Sequence, residues 1–493
     1  MKKQYILSVI FCLALMSGLN AQRNNTLYFM ESIPQSNLLN PAIQHECKWN
    51  IGGLITPILP PVELDFGLNG FAIKELVPID KSLDSIIHPE HPLFDYDKYY
   101  KRLRKMNYIT ADVNINLLSA GYKWKDDWYF TFNLSEKIFS RTGISKNLLT
   151  FIDEGNGKSL MNKDVELAGV LVDVVHYREY AIGASKKLDD KLIVGGKVKF
   201  LFGKANIYTR HNDLLMKTFD DPTSNFETVF TTDIEYNMSQ PFFSIDTIRY
   251  DNENDSVILV DTTYEIEPMD YVMNNKNFGL ALDLGATYKL NAKTTLYASI
   301  LDIGWITFKD NVSTIRSKGQ FMFDGVDVVP YLEETDSAYV ADLTDSVVDI
   351  FFPTLDKGKY KYYLAPKIYL GGNYEINDKF SVQGLYRVEL YRSTPMMGLT
   401  LSGQANLKKW VSLSLSYAVT NNTFKNLGLG IMLKAWRMQF YFVGDNLLGT
   451  WQIIRQDGEF SGVMPYTMRY VSFRFGMNLI FGCPKASQSM FGS

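Results

Sequence analysis

Residues 411–419 read Val-Ser-Leu-Ser-Leu-Ser-Tyr-Ala-Val, in which large apolar side chains alternate with serine or alanine. Successive side chains of a β-strand point to opposite faces, so this stretch predicts a strand with one apolar wall and one wall of small side chains. The same alternation recurs along most of the chain, behind an export signal. Together these features predict an all-β protein, a transmembrane antiparallel β-barrel.

The first 21 residues are organised like a secretory signal peptide. Lys2 and Lys3 precede an apolar run at 5–16, and small and polar residues lead to Ala21, after which cleavage is expected. The apolar run is too short to span a bilayer as a helix. Removing the two lysines from the 50 basic residues leaves 48 against 54 acidic residues, which argues against a nucleic-acid partner.

The composition favours barrel strands over membrane helices. No later segment has about 18 consecutive apolar residues, the length that a transmembrane helix needs. The chain is nevertheless 46% hydrophobic and contains 31 Phe, 30 Tyr and 7 Trp, as expected of barrel strands with aromatic girdles. A large secreted β-sandwich would also show alternating strands and is the alternative architecture.

Short polar turns of similar composition separate the alternating runs. Their Asn, Asp and Lys residues suit tight hairpin connections. Six such turns occur at 122–128, 187–191, 289–293, 375–379, 406–410 and 433–436. They predict about fourteen strands, near 48–56, 109–122, 127–139, 177–188, 191–205, 278–290, 293–306, 362–376, 379–391, 396–407, 410–420, 424–434, 436–446 and 466–481.

The segments between the predicted hairpins are long and several are polar. They lie at approximately 57–108, 140–176, 206–277, 307–361 and 447–464. Outer-membrane barrels have an even number of strands, short periplasmic turns and longer extracellular loops. A soluble sandwich offers no reason for such sorting, so this asymmetry favours the barrel.

The alternation also assigns side chains to the two faces of the wall. Arg387 and Glu389 are expected in the lumen, because an arginine on the lipid face at mid-bilayer costs about 2–4 kcal/mol. In the last strand we expect one set in the lumen, Ser472, Arg474, Gly476 and Asn478, and the other against lipid, Phe473, Phe475, Met477, Leu479 and Phe481.

The segment ahead of the first strand carries the most specific resemblance to known proteins. Asn40-Pro41-Ala42 resembles the Asn-Pro-Ala element of FadL-type long-chain fatty-acid transporters and of PorV-type barrels of Bacteroidota. Weaker similarities follow at 283–288, 301–305, 445–449 and 474–482. In this order and position, the motifs resemble a Bacteroidota outer-membrane barrel family of unknown function that is related to both.

The resemblance to FadL-type proteins implies a fourteen-stranded barrel with an N-terminal segment folded inside. Residues 22–47 would form this plug or hatch, 48–482 the barrel and 483–493 a C-terminal tail. The residues expected to line a ligand site or to pack the plug are Leu27, Tyr28, Phe29, Leu38, Leu39, Asn40, Pro41 and Ala42. The alternative is an ordinary periplasmic extension, in which Asn40-Pro41-Ala42 only turns the chain into the first strand.

Two cysteines remain after signal-peptide removal, Cys47 and Cys483. They flank the predicted barrel, and barrel closure brings the first and last strands together. A disulfide between them is therefore possible in an oxidising periplasm. Two unpaired thiols are the alternative.

No catalytic, metal-binding or cofactor-binding residues are predicted. His88-Pro-Glu-His91 is the nearest approach to a metal motif, but its prolines remove the helical context that such spacing needs. His176 is the one plausible catalytic base, and no serine accompanies it at a recognisable spacing. We therefore expect a protein without enzymatic activity and without a cofactor.

Two functions follow from the resemblance to known barrels. The FadL-like hypothesis is a barrel in the outer membrane that handles hydrophobic small molecules or lipids. The PorV-like alternative is a non-enzymatic barrel that docks secretion or cell-surface proteins through its long loops at 206–277 and 307–361. A passive porin is the third possibility, against which the predicted plug argues. Outer-membrane lipid surrounds the protein in each case.

Overall fold

A computed structural model of the protein describes most of the chain. The described residues are 26–54, 59–69, 71–76, 78–80, 85–86, 93–155, 158–219, 227–251, 256–263, 267–323, 354–392, 394–408, 410–420, 423–447, 449, 451–456, 459–464 and 466–484. The predicted signal peptide at 1–21, the pair His88 and His91, and nearly all of the predicted C-terminal tail lie outside these ranges.

The described residues are mostly β-strands, with a few short helices. The helices are α1 (Ile73–Leu76), α2 (Tyr96–Arg102), α3 (Lys146–Glu154) and α4 (Pro268–Met273), and single 3-10 turns occur at Leu27–Phe29, Pro34–Leu38 and Lys158–Leu160. None of the helices in the described ranges has the length and apolarity to cross a membrane.

The strands, in chain order, are β1 (Trp49–Gly53), β2 (Val62–Leu68), β3 (Ile79–Asp80), β4 (Ser85–Ile86), β5 (Met106–Trp124), β6 (Trp128–Ser145), β7 (Asp164–Glu166), β8 (Leu171–Lys187), β9 (Leu192–Thr218), β10 (Thr228–Ser239), β11 (Phe243–Asp251), β12 (Ser256–Thr263), β13 (Asn277–Lys289), β14 (Thr294–Phe308), β15 (Val312–Phe323), β16 (Thr354–Asp356), β17 (Tyr360–Tyr363), β18 (Lys367–Glu375), β19 (Phe380–Tyr391), β20 (Thr394–Lys408), β21 (Val411–Thr420), β22 (Thr423–Ala435), β23 (Met438–Asp445), β24 (Gln452–Gln456), β25 (Glu459–Met464) and β26 (Tyr470–Phe481).

Antiparallel neighbours close into a ring with fourteen strand positions. β1 and β2 share the first position, because both pair with β5 on one side and β26 on the other. β17 and β18 share the eighth position, beside β14. The other twelve positions are filled by β5, β6, β8, β9, β13, β14, β19, β20, β21, β22, β23 and β26. The predicted fourteen-stranded barrel of outer-membrane type is confirmed.

The wall has the two faces that the alternation predicts. On β21, Leu415 is 53% exposed on the outside, whereas Ser414 and Ser416, on either side of it, are buried. On β26, Ser472, Arg474 and Asn478 are likewise buried, as expected of lumen-facing residues. Small polar side chains therefore face inward along β21 and leave room in the lumen.

Strand one is interrupted, contrary to the prediction of a single strand followed by a loop at 57–108. β1 ends at Gly53 and β2 begins at Val62, yet their partners on β5, Leu118 and Ile115, are only three residues apart. The chain therefore makes an insertion in the wall and then rejoins the same strand position. The prolines at 57, 60 and 61 obscured the alternating residues that follow, because proline is unfavourable inside a ladder.

Met477 also departs from the predicted pattern. It falls on the outward register of β26, but its side chain is fully buried. Its backbone N–H donates to the carbonyl oxygen of Leu59 at 3.2 Å, within the insertion between β1 and β2. The interruption of strand one thus changes the surroundings of a residue that the alternation assigned to lipid.

The long segments at one end of the barrel contain further strands. The wall turns at the other end are short. Outer-membrane barrels have short turns on the periplasmic side, so we expect this end to face the periplasm and call it the periplasmic end. β9 continues past the barrel, and its second half pairs with β10. β10 pairs in turn with β15, and β15 pairs with β16. We call β10, β15, β16 and residues 206–218 of β9 the outer extension. The segments predicted as long loops at 206–277 and 307–361 therefore contain strands that the sequence analysis did not identify.

Candidate functional site

Residues 26–47 lie inside the barrel, and we call them the luminal segment. Gln44 donates from Nε2 to the carbonyl oxygen of Asp127 (3.1 Å) at the periplasmic rim. At the other end of the segment, the Thr26 hydroxyl bonds to Ser416 and Asp445 on the inner wall. Two 3-10 turns and Pro34 at the start of the second keep the segment compact.

The first part of the luminal segment fills the lumen with apolar and aromatic side chains. Tyr28 is fully buried and stacks on Tyr369 of the wall, with ring centroids 5.3 Å apart. Phe29 meets Tyr297 edge to face at 5.4 Å. The apolar cluster contains Leu27, Tyr28, Phe29, Met30, Ile33 and Leu39 from the segment and Tyr297, Leu301, Tyr369, Leu385, Met432, Tyr441 and Val443 from the wall.

Polar contacts fix the depth of this packing. The Nδ2 atom of Asn40 donates to the Tyr28 hydroxyl (3.2 Å), and Tyr28 contacts Ser299 of the wall (3.3 Å). The Ser299 hydroxyl donates in turn to the carbonyl oxygen of Leu39 (2.7 Å). Buried polar groups need such partners, so this chain of bonds holds the segment in a single register.

Asn40-Pro41-Ala42 lies against glycines of the wall. The side chain of Asn40 accepts from the Ala42 N–H (3.0 Å), which closes a tight turn. A Cβ atom at Gly195 or at Gly285 would collide with the Pro41 backbone or with Asn40, respectively. Glycine is therefore needed here because the turn packs directly on the wall.

The structure brings the eight predicted site residues together inside the barrel. Seven of them are buried, and Leu38 is half-buried where it lines a small cavity above the segment. Sequence reasoning missed their wall partners, such as Tyr297 and Tyr369. Inward-facing tyrosines at alternating positions were the available signal, but alternation alone does not show which strands face the segment.

The base of the luminal segment is tied to the last strand. Cys47 and Cys483 are joined by a disulfide bond that links positions 436 residues apart. Nearby, the Nε2–H of His45 donates to the carbonyl oxygen of Ser32 (3.0 Å), and the Nδ1 atom accepts from the Cys47 N–H (3.2 Å). Burial lowers the pKa of His45 to about 4. The neutral ring satisfies both bonds, whereas a protonated ring cannot accept the second.

Ion pairs between neighbouring wall strands line the lumen beyond the luminal segment. The Nζ atom of Lys199 lies 2.6 Å from Asp283 Oδ2 and 2.6 Å from Asp302 Oδ1. Lys367 pairs with Asp302 at 2.5 Å. Lys137 pairs with Glu179 at 2.8 Å. We call these residues the ion-pair layer.

The predicted lumen residues Arg387 and Glu389 lie at the same level. Arg387 donates to Glu389 (2.7 Å) and to the Tyr369 hydroxyl (3.0 Å). Arg141 reaches the same carboxylate at 3.1 Å. Sequence reasoning placed Arg387 and Glu389 correctly but did not identify Arg141 or the ion-pair layer, since their partners come from different strands.

Little empty space remains between the ion-pair layer and the luminal segment. The cavity there has a volume of about 100 Å³, with Leu38 and Leu39 on the segment side and Lys199 and Arg387 on the wall side. Sites for drug-sized ligands have volumes of about 300–1,000 Å³. A ligand of that size needs the luminal segment to move.

An aromatic layer closes the lumen beyond the ion-pair layer, on the side away from the luminal segment. Tyr177, Phe308 and Tyr362 are buried there with Val175, Leu201 and Leu364. From the periplasm outward, the lumen therefore contains the apolar luminal segment, the ion-pair layer and this aromatic layer. Within the described ranges, no three His, Cys, Asp or Glu side chains come close enough to bind a metal ion.

Several solved barrels are similar to this chain at low identity. The toluene transporter TbuX of Ralstonia pickettii is 9% identical over 94% of this chain and 99% of its own, with a TM-score of 0.41. The toluene transporter TodX of Pseudomonas putida is 10% identical over 94% and 98% (TM-score 0.38). A Pseudomonas aeruginosa FadL homologue is 11% identical over 94% and 100% (TM-score 0.39). Likenesses this distant carry no argument about function.

The family of the chain rests on its sequence. No curated protein matches it. The sequence model of DUF5723, which is described as a family of unknown function, matches residues 41–445. The match covers more than half of the chain and begins within Asn40-Pro41-Ala42. The chain belongs to the DUF5723 family.

Proposed function

We propose that this protein is an outer-membrane barrel that handles hydrophobic small molecules, with the luminal segment as its plug. One observation supports the proposal most strongly. The inner wall offers an apolar and aromatic surface, and the protein's own residues Leu27 to Met30 occupy it. A hydrophobic ligand that enters the lumen would compete with these side chains for the same surface.

The two ends of the plug are held differently. Its base is fixed by the disulfide at Cys47 and by the packing of Asn40 and Pro41 on wall glycines. The arm from Thr26 to Ile33 is held by apolar packing and a few hydrogen bonds. Opening therefore requires displacement of the arm alone, with the base left in place.

The location in the outer membrane follows from the same proposal. The barrel exposes apolar side chains on its outer wall, among them Leu282, Leu401 and Leu415. A closed ring pairs the backbone hydrogen bonds of its wall strands, as a membrane-spanning sheet requires. Export by the predicted signal peptide at 1–21 would deliver the chain to the periplasm for insertion.

Ligand binding in lipid nanodiscs tests the proposal. Tritiated palmitate and the aromatic probe 1-N-phenylnaphthylamine are titrated against the native protein, F29A and a rim control, Q44A. Losing about 1.4 kcal/mol of arm packing in F29A should tighten the binding of a competing ligand by about tenfold. Q44A should bind like the native protein. Absence of saturable binding of both probes in all three proteins would refute the proposal.

The outer extension supports protein docking as a second candidate function. It continues the barrel wall outward through β10, β15 and β16, and residues of its strands, such as Lys318 and Asp233, carry exposed charge. A docked secretion or surface protein would contact this sheet, as the PorV-like hypothesis implies. Chemical crosslinking in native membranes should then yield one stoichiometric partner through Lys318. No crosslinked partner, together with intact ligand binding, would exclude docking.

A further inference from the structure

A short helix lies on the outside of the barrel wall. α4 precedes β13 and packs against β8 through Tyr271, whose hydroxyl lies 2.6 Å from His176 Nδ1. Lys204 of β9 donates from Nζ to the carbonyl oxygen of Asn274, just after the helix (2.5 Å). The C-terminal half of α4 is therefore fastened to the outer surface of the wall.

The helix covers charged residues that point away from the lumen. Lys137 and Glu179 face the lumen, so their strand neighbours Glu136 and Arg178 point outward. Glu136 pairs with Arg178 and lies 3.2 Å from His176 Nε2. Charges on the outer wall are costly where they meet hydrocarbon, so a cover that hydrogen-bonds to them is stabilising.

The uncovered part of α4 carries an apolar stripe, beside which Asp270 is also exposed. Met269 and Met273 are 68% and 57% exposed, and Val272 between them is exposed as well. These residues are spaced i, i+3 and i+4, so they form one stripe on the helix surface. Phe242, also exposed, lies beside Tyr271 with ring centroids 5.5 Å apart and extends the stripe.

The stripe continues the lipid-facing wall. β13 begins after a three-residue link, 274–276, that follows α4, and Phe278, Leu280 and Leu282 lie at alternating exposed positions on it. Phe202 and Phe278 pack together on this wall at 5.6 Å. A membrane-spanning strand needs about 9–11 residues, so β13, from Asn277 to Lys289, spans the hydrocarbon layer and α4 lies at its outward boundary.

We propose that α4 is an interfacial helix seated in the outer leaflet of the membrane. Met269, Val272 and Met273 contact lipid acyl chains at the headgroup boundary, and Tyr271 points back to the His176 and Glu136 cluster. Lipid is the occupant because the stripe is continuous with the lipid-facing residues of β13. The helix shields the charged cluster from lipid and anchors the segment before β13 to the bilayer.

Site-directed spin labelling tests this placement. The cysteines at 47 and 483 are paired, and removal of the predicted signal peptide removes Cys12. A new cysteine can therefore be labelled selectively in the processed protein. M269C, M273C, the wall control L282C and the extracellular control I152C on α3 are reconstituted in dioleoyl phosphatidylcholine vesicles. Collision rates with oxygen, which partitions into lipid, and with water-soluble nickel-EDDA are compared at each site.

At Met269 and Met273, the ratio of oxygen to nickel collisions should be several-fold higher than at Ile152 and should approach that at Leu282. A ratio equal to that at Ile152 would place the stripe in water and overturn the proposal. Low collision rates with both reagents would indicate a protein partner or a second copy and would also overturn it. Heat-modifiable migration in gels confirms that each labelled variant is folded. If either M269C or M273C does not fold, the other serves as the test position.

Discussion

The ring of Phe29 packs directly on Gly371 of the barrel wall. A Cβ atom on residue 371 would lie 2.7 Å from Phe29 Cζ, closer than carbon atoms approach in proteins. The adjacent Gly372 points to the other face, where a Cβ atom would have no neighbour nearer than 3.6 Å. The glycine at 371 therefore has a specific role, which is to make room for the luminal segment.

Substitution of Gly371 should loosen the plug. In G371V the added side chain overlaps Phe29, and overpacking of this kind costs about 1–3 kcal/mol. We expect proteinase K to cleave residues 26–33 faster in G371V than in the native protein. Mass spectrometry on protein in nanodiscs measures this cleavage. The barrel itself should remain heat-modifiable.

G372V is the matched control for this substitution. It carries the same change in strand propensity, but its side chain points away from the plug. Its protease sensitivity should equal that of the native protein. Equal cleavage of the plug in G371V and G372V would contradict the proposed contact between Phe29 and residue 371.

Asn40 should stabilise the plug through its side-chain amide. In N40A the Tyr28 hydroxyl loses a donor and the Ala42 N–H loses its acceptor. Loss of buried hydrogen bonds costs about 1–3 kcal/mol when a partner is left unsatisfied. Amide hydrogen exchange at 26–42 should accelerate accordingly, whereas Q44A at the rim should leave that region unchanged. Unaltered exchange in N40A would show that the turn does not hold the arm.

The bond between Cys47 and Cys483 should stabilise the folded barrel. Linking residues 436 apart restricts the unfolded chain, and disulfides typically contribute about 2–4 kcal/mol. The C47S/C483S double variant should unfold at lower urea concentration than the native protein. Mass spectrometry of non-reduced peptides checks that the bond forms. An unchanged urea midpoint would mean that pairing of the first strand position with β26 holds the barrel closed without the disulfide.

The plug should become less stable as the pH falls below about 6.5. His45 has an ordinary pKa of 6.5 and a folded pKa of about 4, because burial disfavours its charged form. The unfolded segment therefore binds a proton at a higher pH than the folded one, and stability is lost as the pH decreases from 6.5 towards 4. H45Q, which can still donate and accept, should reduce this pH dependence of proteinase K cleavage. If cleavage of H45Q depended on pH as steeply as cleavage of the native protein, titratable groups other than His45 would be responsible.

The outer face of β21 should reject a charge. L415R places an arginine against lipid near mid-wall, which costs about 2–4 kcal/mol. L415M keeps the surface apolar and should behave like the native protein. Urea unfolding in phosphatidylcholine vesicles measures the difference. Equal stability of the two variants would indicate that this face of β21 does not meet lipid.

The strands and their faces were predictable because their signal is local. Leu415 and Ser416 are neighbours in the sequence, and alternation alone sends one outward and the other inward. The interruption of strand one was missed because prolines precede Val62. The strands of the outer extension were missed because polar residues in a sheet beyond the barrel wall resemble those of a loop.

The sequence alone therefore determined the barrel, the approximate number of its wall strands and the inward side of β19, β21 and most of β26, since a period of two can be read from consecutive residues. Only the tertiary structure decided which strands meet across the lumen. Phe29 and Gly371 are brought together by entry of the luminal segment, and Arg141 and Glu389 by ring closure. Such contacts depend on strand order, register and available volume, and no local pattern records these quantities.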